Sequence, residues 1–166
     1  MMIDPLAYRR VVGRFATGVT VVTTVSPDGE WHALTCNSFT SVSLEPVLVL
    51  FCAEKIARFH DAVLETGTWA VSVLSTEHER ASRHFARRGR ALDEQFAQVP
   101  TVPGPLTGAP VLHGALAALE CRTVALTDAG DHTVVMGEVL GAALPDPDAA
   151  PLLYFEGAYR TVGPTA

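Results

Sequence analysis

A chain of 166 residues with a formal net charge of −6 is sized for one domain and carries the wrong sign of charge for a nucleic-acid binder. Hydrophobic residues make up 48% and charged residues only 18%, so the surface is lean in charge, which invites an oligomer that covers apolar area. No window approaches the ~18 apolar residues of a membrane span, and no apolar stretch follows Asp4-Pro5 and Arg9-Arg10 as a signal peptide would require.

Residues 4–16 read as a helix, with Asp4 as cap, Pro5 in the first turn and Leu6, Val11, Val12 and Phe15 on a loose apolar face. Residues 18–25 are β-branched and apolar, a strand buried on both faces. Ser26-Pro27-Asp28-Gly29 is a turn, because Pro fixes φ and Gly accepts a positive one, and residues 30–36 return as the hairpin partner. Residues 47–53 form the next strand. Residues 55–65 form a helix with Ile56, Phe59, Val63 and Leu64 on one side, and residues 68–74 a strand. Thr76 and Glu79 have capping-box spacing for a helix that runs to about Arg88.

Residues 89–108 hold Pro100, Pro103, Pro105 and several glycines, an irregular run long enough to cover something or to meet a partner subunit. Residues 115–127 and 133–144 read as two long strands joined by Asp128-Ala129-Gly130-Asp131. Pro145 to Asp148 is a turn, and residues 152–155 and 159–162 are short closing strands. With no internal repeat and no linker, residues 1–166 are expected to form a single mainly β domain with inserted helices, a barrel with helical excursions.

Several chemistries lack their motifs. There is no G-x-G-x-x-G for a dinucleotide, no phosphate loop of the G-x-x-x-x-G-K-[S/T] type and no G-x-S-x-G elbow. His78-Glu79 opens like a zinc-protease helix, but the next His is His84, six residues on and on another face, so no metal site is expected. Cys36, Cys52 and Cys121 are odd in number, far apart and without a C-x-x-C pair. A reducing cytoplasm is therefore expected rather than a disulfide scaffold.

The chemically dense stretch is Thr35-Cys36-Asn37-Ser38-Phe39-Thr40-Ser41-Val42-Ser43-Leu44-Glu45-Pro46, small hydrogen-bonding side chains set between apolar strands. It reads either as a Ser/Thr-rich turn that satisfies its own backbone or as a polar floor for a flat ligand with a polar edge. Its residue order resembles the flavin-contacting segment of the flavin reductase-like family, the short-chain reductase components of two-component monooxygenases. Phe15 to Thr24, Ala70-Val-Ser-Val-Leu74, Phe85-Ala86, Leu119-Glu-Cys121, Gly130-Asp-His132, Gly137-Glu-Val139 and Leu152 to Tyr159 follow in that family's order, so the resemblance spans nearly the whole chain.

The resemblance implies a split β-barrel of the FMN-binding type, usually a homodimer with flavin near the subunit interface. It implies NAD(P)H-dependent reduction of FMN or FAD, with NADH or NADPH as hydride donor and a flavin-dependent monooxygenase as recipient of reduced flavin. An enzyme that keeps its flavin and acts on another small molecule, and a non-enzymatic flavin binder, are the alternatives. For the ring, the implied contacts are Asn37 and Ser38 at its polar edge, with main-chain contacts from Ser41, Val42 and Ser43 and with Thr35 and Cys36 flanking it. For the phosphate they are Ala53, Glu54 and Lys55, between a strand and a helix, although Ala53, Ile56 and Ala57 offer no hydroxyl and Glu54 is acidic. Asp131 would orient His132, which in relatives sits near the nicotinamide. Phe85 packs near the flavin or in the core, and Tyr159 closes either the pocket or the barrel. The basic run Arg83, Arg87, Arg88 and Arg90 reads as a solvated helix end, the alternative being that Arg88 or Arg90 reaches a dinucleotide phosphate.

Overall fold

The computed structural model describes residues 3–163. The order is α1 (Pro5–Val12), β1 (Thr17–Gly18), β2 (Thr20–Val25), β3 (Trp31–Cys36), β4 (Thr40–Leu44), β5 (Val47–Glu54), α2 (Arg58–Thr66), β6 (Thr68–Val73), a 3-10 turn (Thr76–His78) and α3 (Glu79–Ala86). Then come β7 (Thr101–Pro103), β8 (Pro110–Leu112), β9 (Ala117–Ala129), β10 (His132–Ala143), β11 (Leu153–Phe155) and β12 (Ala158–Arg160). Seven strands form one sheet in the order β3-β2-β6-β9-β10-β5-β4, every pairing antiparallel.

The two edge strands, β3 and β4, are consecutive in the chain, joined only by Asn37, Ser38 and Phe39. Laid flat, seven strands at ~4.8 Å spacing would hold their edges ~29 Å apart. The four steps from Cys36 to Thr40 span at most about 14 Å. The sheet therefore has to curl until its edges nearly meet, which makes it a split β-barrel. The link itself stitches the seam: Cys52 N–H of β5 donates to Ser38 Oγ at 2.9 Å, and that hydroxyl lies 2.9 Å from Cys36 Sγ.

The barrel interior is filled by Val22, Phe51, Phe59, Val63, Trp69, Cys121 and Val135. Trp69 meets Phe51 edge to face at 4.9 Å, and its indole N–H donates to Thr123 Oγ1 at 3.1 Å. β2 is buried on both faces, as its composition predicts, because Val22 faces the interior while Val19 and Val21 join Leu74, Phe85, Leu112 and Leu152 in a second cluster beside α3.

Four expectations need correction. α1 stops at Val12, with Gly13 N–H closing onto Arg9 O, and it buries no residue. Asp4 does cap it, accepting from Leu6 N and Ala7 N, but Leu6, Val11 and Phe15 stay exposed, so its apolar stripe has no partner within the described residues. α2 starts three residues later than the spacing predicts, because Lys55 N–H is taken by Asp131 O and Ala57 N–H turns back onto Glu54 O. Ile56 is left exposed ahead of the helix.

The cap before α3 is Ser75 rather than Thr76: His78 Nδ1 accepts from Ser75 N–H and lies 2.8 Å from its hydroxyl. Finally, the proline-rich run is not wholly irregular. β7 pairs with β8, and Glu120, buried on β9, accepts through Oε2 from Leu106 N, Thr107 N and Thr107 Oγ1 at 2.9, 2.7 and 2.8 Å. A buried carboxylate with three donors holds that loop down without exposing its own charge.

Candidate functional site

The seam carries the polar stretch. Asn37 is exposed, and its amide has no hydrogen-bond partner among the described residues. β4 pairs only with β5, which leaves its outer edge open, and a register break between Ser41 and Ser43 takes Val42 out of the ladder. Main-chain N–H and C=O groups and one free amide thus face outward in a row. That donor–acceptor set fits the alternating carbonyls and nitrogens of a flavin ring edge.

Thr35, Cys36, Ser38 and Ser43 are engaged within the fold. Thr35 Oγ1 donates to Ser82 O of α3 at 2.7 Å. Ser38 is committed to the seam, and Ser43 Oγ accepts from Glu45 N at 3.2 Å. Cys36 is buried in the barrel core, and burial pushes its thiol above the ordinary value. Cys36 therefore offers its surroundings packing rather than a free thiol.

Next to the seam a cavity of ≈ 130 Å³ opens between β3, the start of α2 and the end of α3. His32, Leu34, Glu54, Ile56, Arg58, Phe85, Arg87, Arg88 and Arg90 are among its walls. Its charge is not symmetric: four guanidiniums stand against the one carboxylate of Glu54. Arg88 Nη2 is 2.6 Å from Glu54 Oε1, which neutralises that acid. The N-cap of α2, Ala57, supplies no side-chain cap, and Ala57, Arg58 and Phe59 at this end of the helix line the same space, where the first N–H groups and the helix dipole favour an anion. This is a cationic recess that fits a phosphate.

Arg90 lies deeper. It donates to Phe85 O and Ala33 O at 2.7 and 2.8 Å and also to Arg87 O, while Arg58 donates to Arg90 O. Burial, then Arg58 and Arg87, lower its affinity for its proton. Arg83, Arg87 and Arg88 are exposed, as a solvated helix end would be, while Arg90 alone is tucked in; Arg87, Arg88 and Arg90 line the recess and Arg83 does not.

Of the three residues expected at the phosphate, only Glu54 lines the recess. Ala53 is fully buried in the core and offers no side-chain atom. Lys55 turns the other way, its ammonium donating to Gly130 O at 2.7 Å and to the Asp128 carboxylate. Phe85 is completely buried, 5.1 Å from Phe96, and reaches the recess only as part of its floor. Tyr159 closes the fold against α3: its hydroxyl is 2.7 Å from Ser82 Oγ, and Arg83 lies 4.6 Å over its ring.

The tight turn Gly130-Asp131 brings His132 to the start of β10, directly across from Glu54 on β5. Its Nδ1 lies 2.7 Å from Asp131 Oδ1. The hydrogen bond from His132, and then its charge, hold the Asp131 carboxyl below the usual range. A carboxylate on Nδ1 leaves Nε2 as the free nitrogen.

A family model for the flavin reductase like domain matches residues 12–163. The chain belongs to this family. Its fold superposes on the Streptomyces globisporus C-1027 NADH:FAD oxidoreductase SgcE6, solved with NAD and FAD fragments, with a TM-score of 0.91, 44% identity and coverage of 100% of this chain and 99% of that one. It is 44% identical to the FMN reductase (NADH) SmoA of Agrobacterium fabrum, over 92% of this chain and 83% of the relative. It is 39% identical to the flavin-dependent monooxygenase reductase subunit HsaB of Mycobacterium tuberculosis, over 98% and 84%.

Sequence reasoning missed Arg58, Arg87 and His32 as walls of the recess. The one available signal was the concentration of arginines on either side of Phe85 in a chain whose net charge is −6. Among the described residues there is no group of three or more His, Cys, Asp or Glu side chains able to hold a metal, and no helix long and apolar enough to cross a membrane.

Proposed function

We propose that the chain is an NADH-dependent flavin reductase that delivers reduced FMN or FAD to a partner monooxygenase. The observation that carries this is the open, donor-rich seam at Asn37 to Ser43 beside the arginine-lined recess, in a chain whose relatives include NADH-dependent flavin reductases. Bound flavin supplies the chemistry of accepting hydride from a nicotinamide. Asn37 and the free edge of β4 hold the polar side of the ring. Arg58, Arg87, Arg88 and the first turn of α2 hold the phosphate. Asp131 keeps the proton on Nδ1 of His132, so that Nε2 accepts from an amide N–H or takes up a proton. No nucleophile is needed. Holding two rings in register removes translational and rotational freedom from the barrier.

A recess of ≈ 130 Å³ is smaller than the ~300–1,000 Å³ of a typical ligand pocket. The exposed Leu6, Val11, Phe15, Leu44 and Val47 form apolar surface that a second copy would cover. The active species in this reading is a homodimer in which that copy roofs the ring. Sedimentation should report a dimer, and Leu44→Glu should shift it toward monomer with loss of flavin affinity.

The decisive assay follows loss of NADH absorbance with and without added FMN, FAD or riboflavin. Oxidation that scales with flavin supports the reading. Tightly yellow protein without turnover, or turnover that requires some other organic acceptor, overturns it in favour of a binder or of a flavin-retaining enzyme.

A further inference from the structure

Lys55 makes three contacts to one tight turn. Its backbone N–H donates to Asp131 O at 3.0 Å, its ammonium donates to Gly130 O at 2.7 Å, and the ammonium also pairs with the Asp128 carboxylate. One residue at the end of β5 therefore grips points on both sides of Gly130, which has a φ of 67°. The ladders to β5 and β9 hold the hairpin as far as His132, which lies opposite both Glu54 and Ala129, but residues 124–131 are exposed and the two-residue loop Gly130-Asp131 beyond the ladders is held to β5 through Lys55. The neighbours of Lys55 in sequence, Glu54 and Ile56, line the recess, whereas Lys55 does not.

An ordinary exposed ion pair would deserve no function, since such pairs contribute little. This one differs because main chain and side chain of the same residue act together on the segment that carries Asp131 and His132. We propose that Lys55 is a positioning residue, a clasp on the hairpin tip that fixes the Asp131–His132 pair in the orientation the reaction uses. This rests on the role given to His132 above. The chain of contacts runs from Lys55 to the turn, from the turn to Asp131, and from Asp131 to Nδ1 of His132.

The test compares wild type with Lys55→Met, Lys55→Arg and Asp128→Asn in two measurements. Ring 15N spectra of His132 in the ligand-free protein read the tautomer. Steady-state turnover with NADH is measured with both FMN and riboflavin. Wild type and Lys55→Arg should keep the ring proton on Nδ1. Lys55→Met should give a mixture of tautomers and about a 10-fold loss of kcat with either flavin, the scale expected when a catalytic group loses its placement, while KM for FMN changes by no more than about twofold. Asp128→Asn, which removes only one leg of the clasp, should fall between them and serves as the readout should Lys55→Met fold poorly.

An unchanged tautomer, or an effect confined to the denaturation midpoint, overturns the proposal. A rise in KM for FMN but not for riboflavin also overturns it and marks Lys55 as a phosphate ligand. If the reductase reading itself fails, no variant turns over NADH, yet the ring spectra still report whether Lys55 governs His132.

Discussion

Arg88 reaches from the segment after α3 to the end of β5, its Nη2 2.6 Å from Oε1 of Glu54. Both residues line the recess, and the pair cancels the one carboxylate on a wall that is otherwise cationic. Both side chains are partly exposed, so the bond adds little to stability, at most ~1 kcal/mol. Its weight falls on the ligand. Glu54→Gln should lower KM for FMN about two- to fivefold by removing a repulsion and freeing Arg88, and Arg88→Ala should raise it by a similar factor. Neither should alter KM for riboflavin, and both effects should shrink in high salt. Steady-state kinetics with the two flavins checks all of this.

His32 sits buried on β3, its Nε2 3.3 Å from Ser26 Oγ. Burial lowers its affinity for a proton, with Arg58 adding in the same direction and Glu30 and Asp28 opposing. Between the ordinary imidazole value of ~6.5 and the lower folded one, the unfolded chain binds a proton that the native chain does not. Stability therefore rises with pH across that window and falls as pH drops through it. The denaturant midpoint should fall from pH 7.5 to pH 5, and His32→Gln should fall less over the same interval. Equal falls would remove His32 from the account.

Gly137 occupies a register break in β10 beneath the indole of Trp69. A Cβ there would lie 2.4 Å from Trp69 Cζ2, and Trp69 is completely buried against Phe51. Gly137→Ala should cost about 1–3 kcal/mol through overpacking. At about 2–4 °C per kcal/mol for a domain of this size, calorimetry will resolve the shift.

Burial pushes the Cys121 thiol up to about 12 and raises that of Cys36 as well. At pH 8 a thiol with a pKa near 12 is only ~10⁻⁴ thiolate. An aromatic disulfide reagent should therefore meet only the half-buried Cys52 in the native protein and gain the other two thiols on denaturation. Early reaction of all three would contradict the packing of the barrel core.

Local signals were legible in the sequence. Asp4 announced its cap, the Pro-Asp-Gly turn its hairpin, and the β-branched run at Thr20–Val25 its double burial. The polar stretch at 35–46 was visible as chemistry. What could not be read was which of its atoms face outward, because that depends on closure of the barrel at Ser38 and Cys52. Lys55 looked like an anion ligand because its true partner, Asp128, lies 73 residues away. Arg88 is solvated as its sequence suggests, but its pairing with Glu54, 34 residues behind it, had no local mark. Side chains whose targets are distant in sequence carry no local mark of their direction, and Glu54, Arg58 and Arg88 of the recess are such side chains.

Because three residues alone bridge β3 and β4, the ligand-facing row exists only once the whole ribbon has been bent into a hoop. New termini opened between Asn37 and Phe39 would leave every strand pairing in place, yet untether the two edge strands β3 and β4, whose outer margins could then recruit strands from other chains. In the proposed reading the cofactor is held only by the closed hoop, so a chain that has lost its hoop should lose its colour while it keeps its sheet.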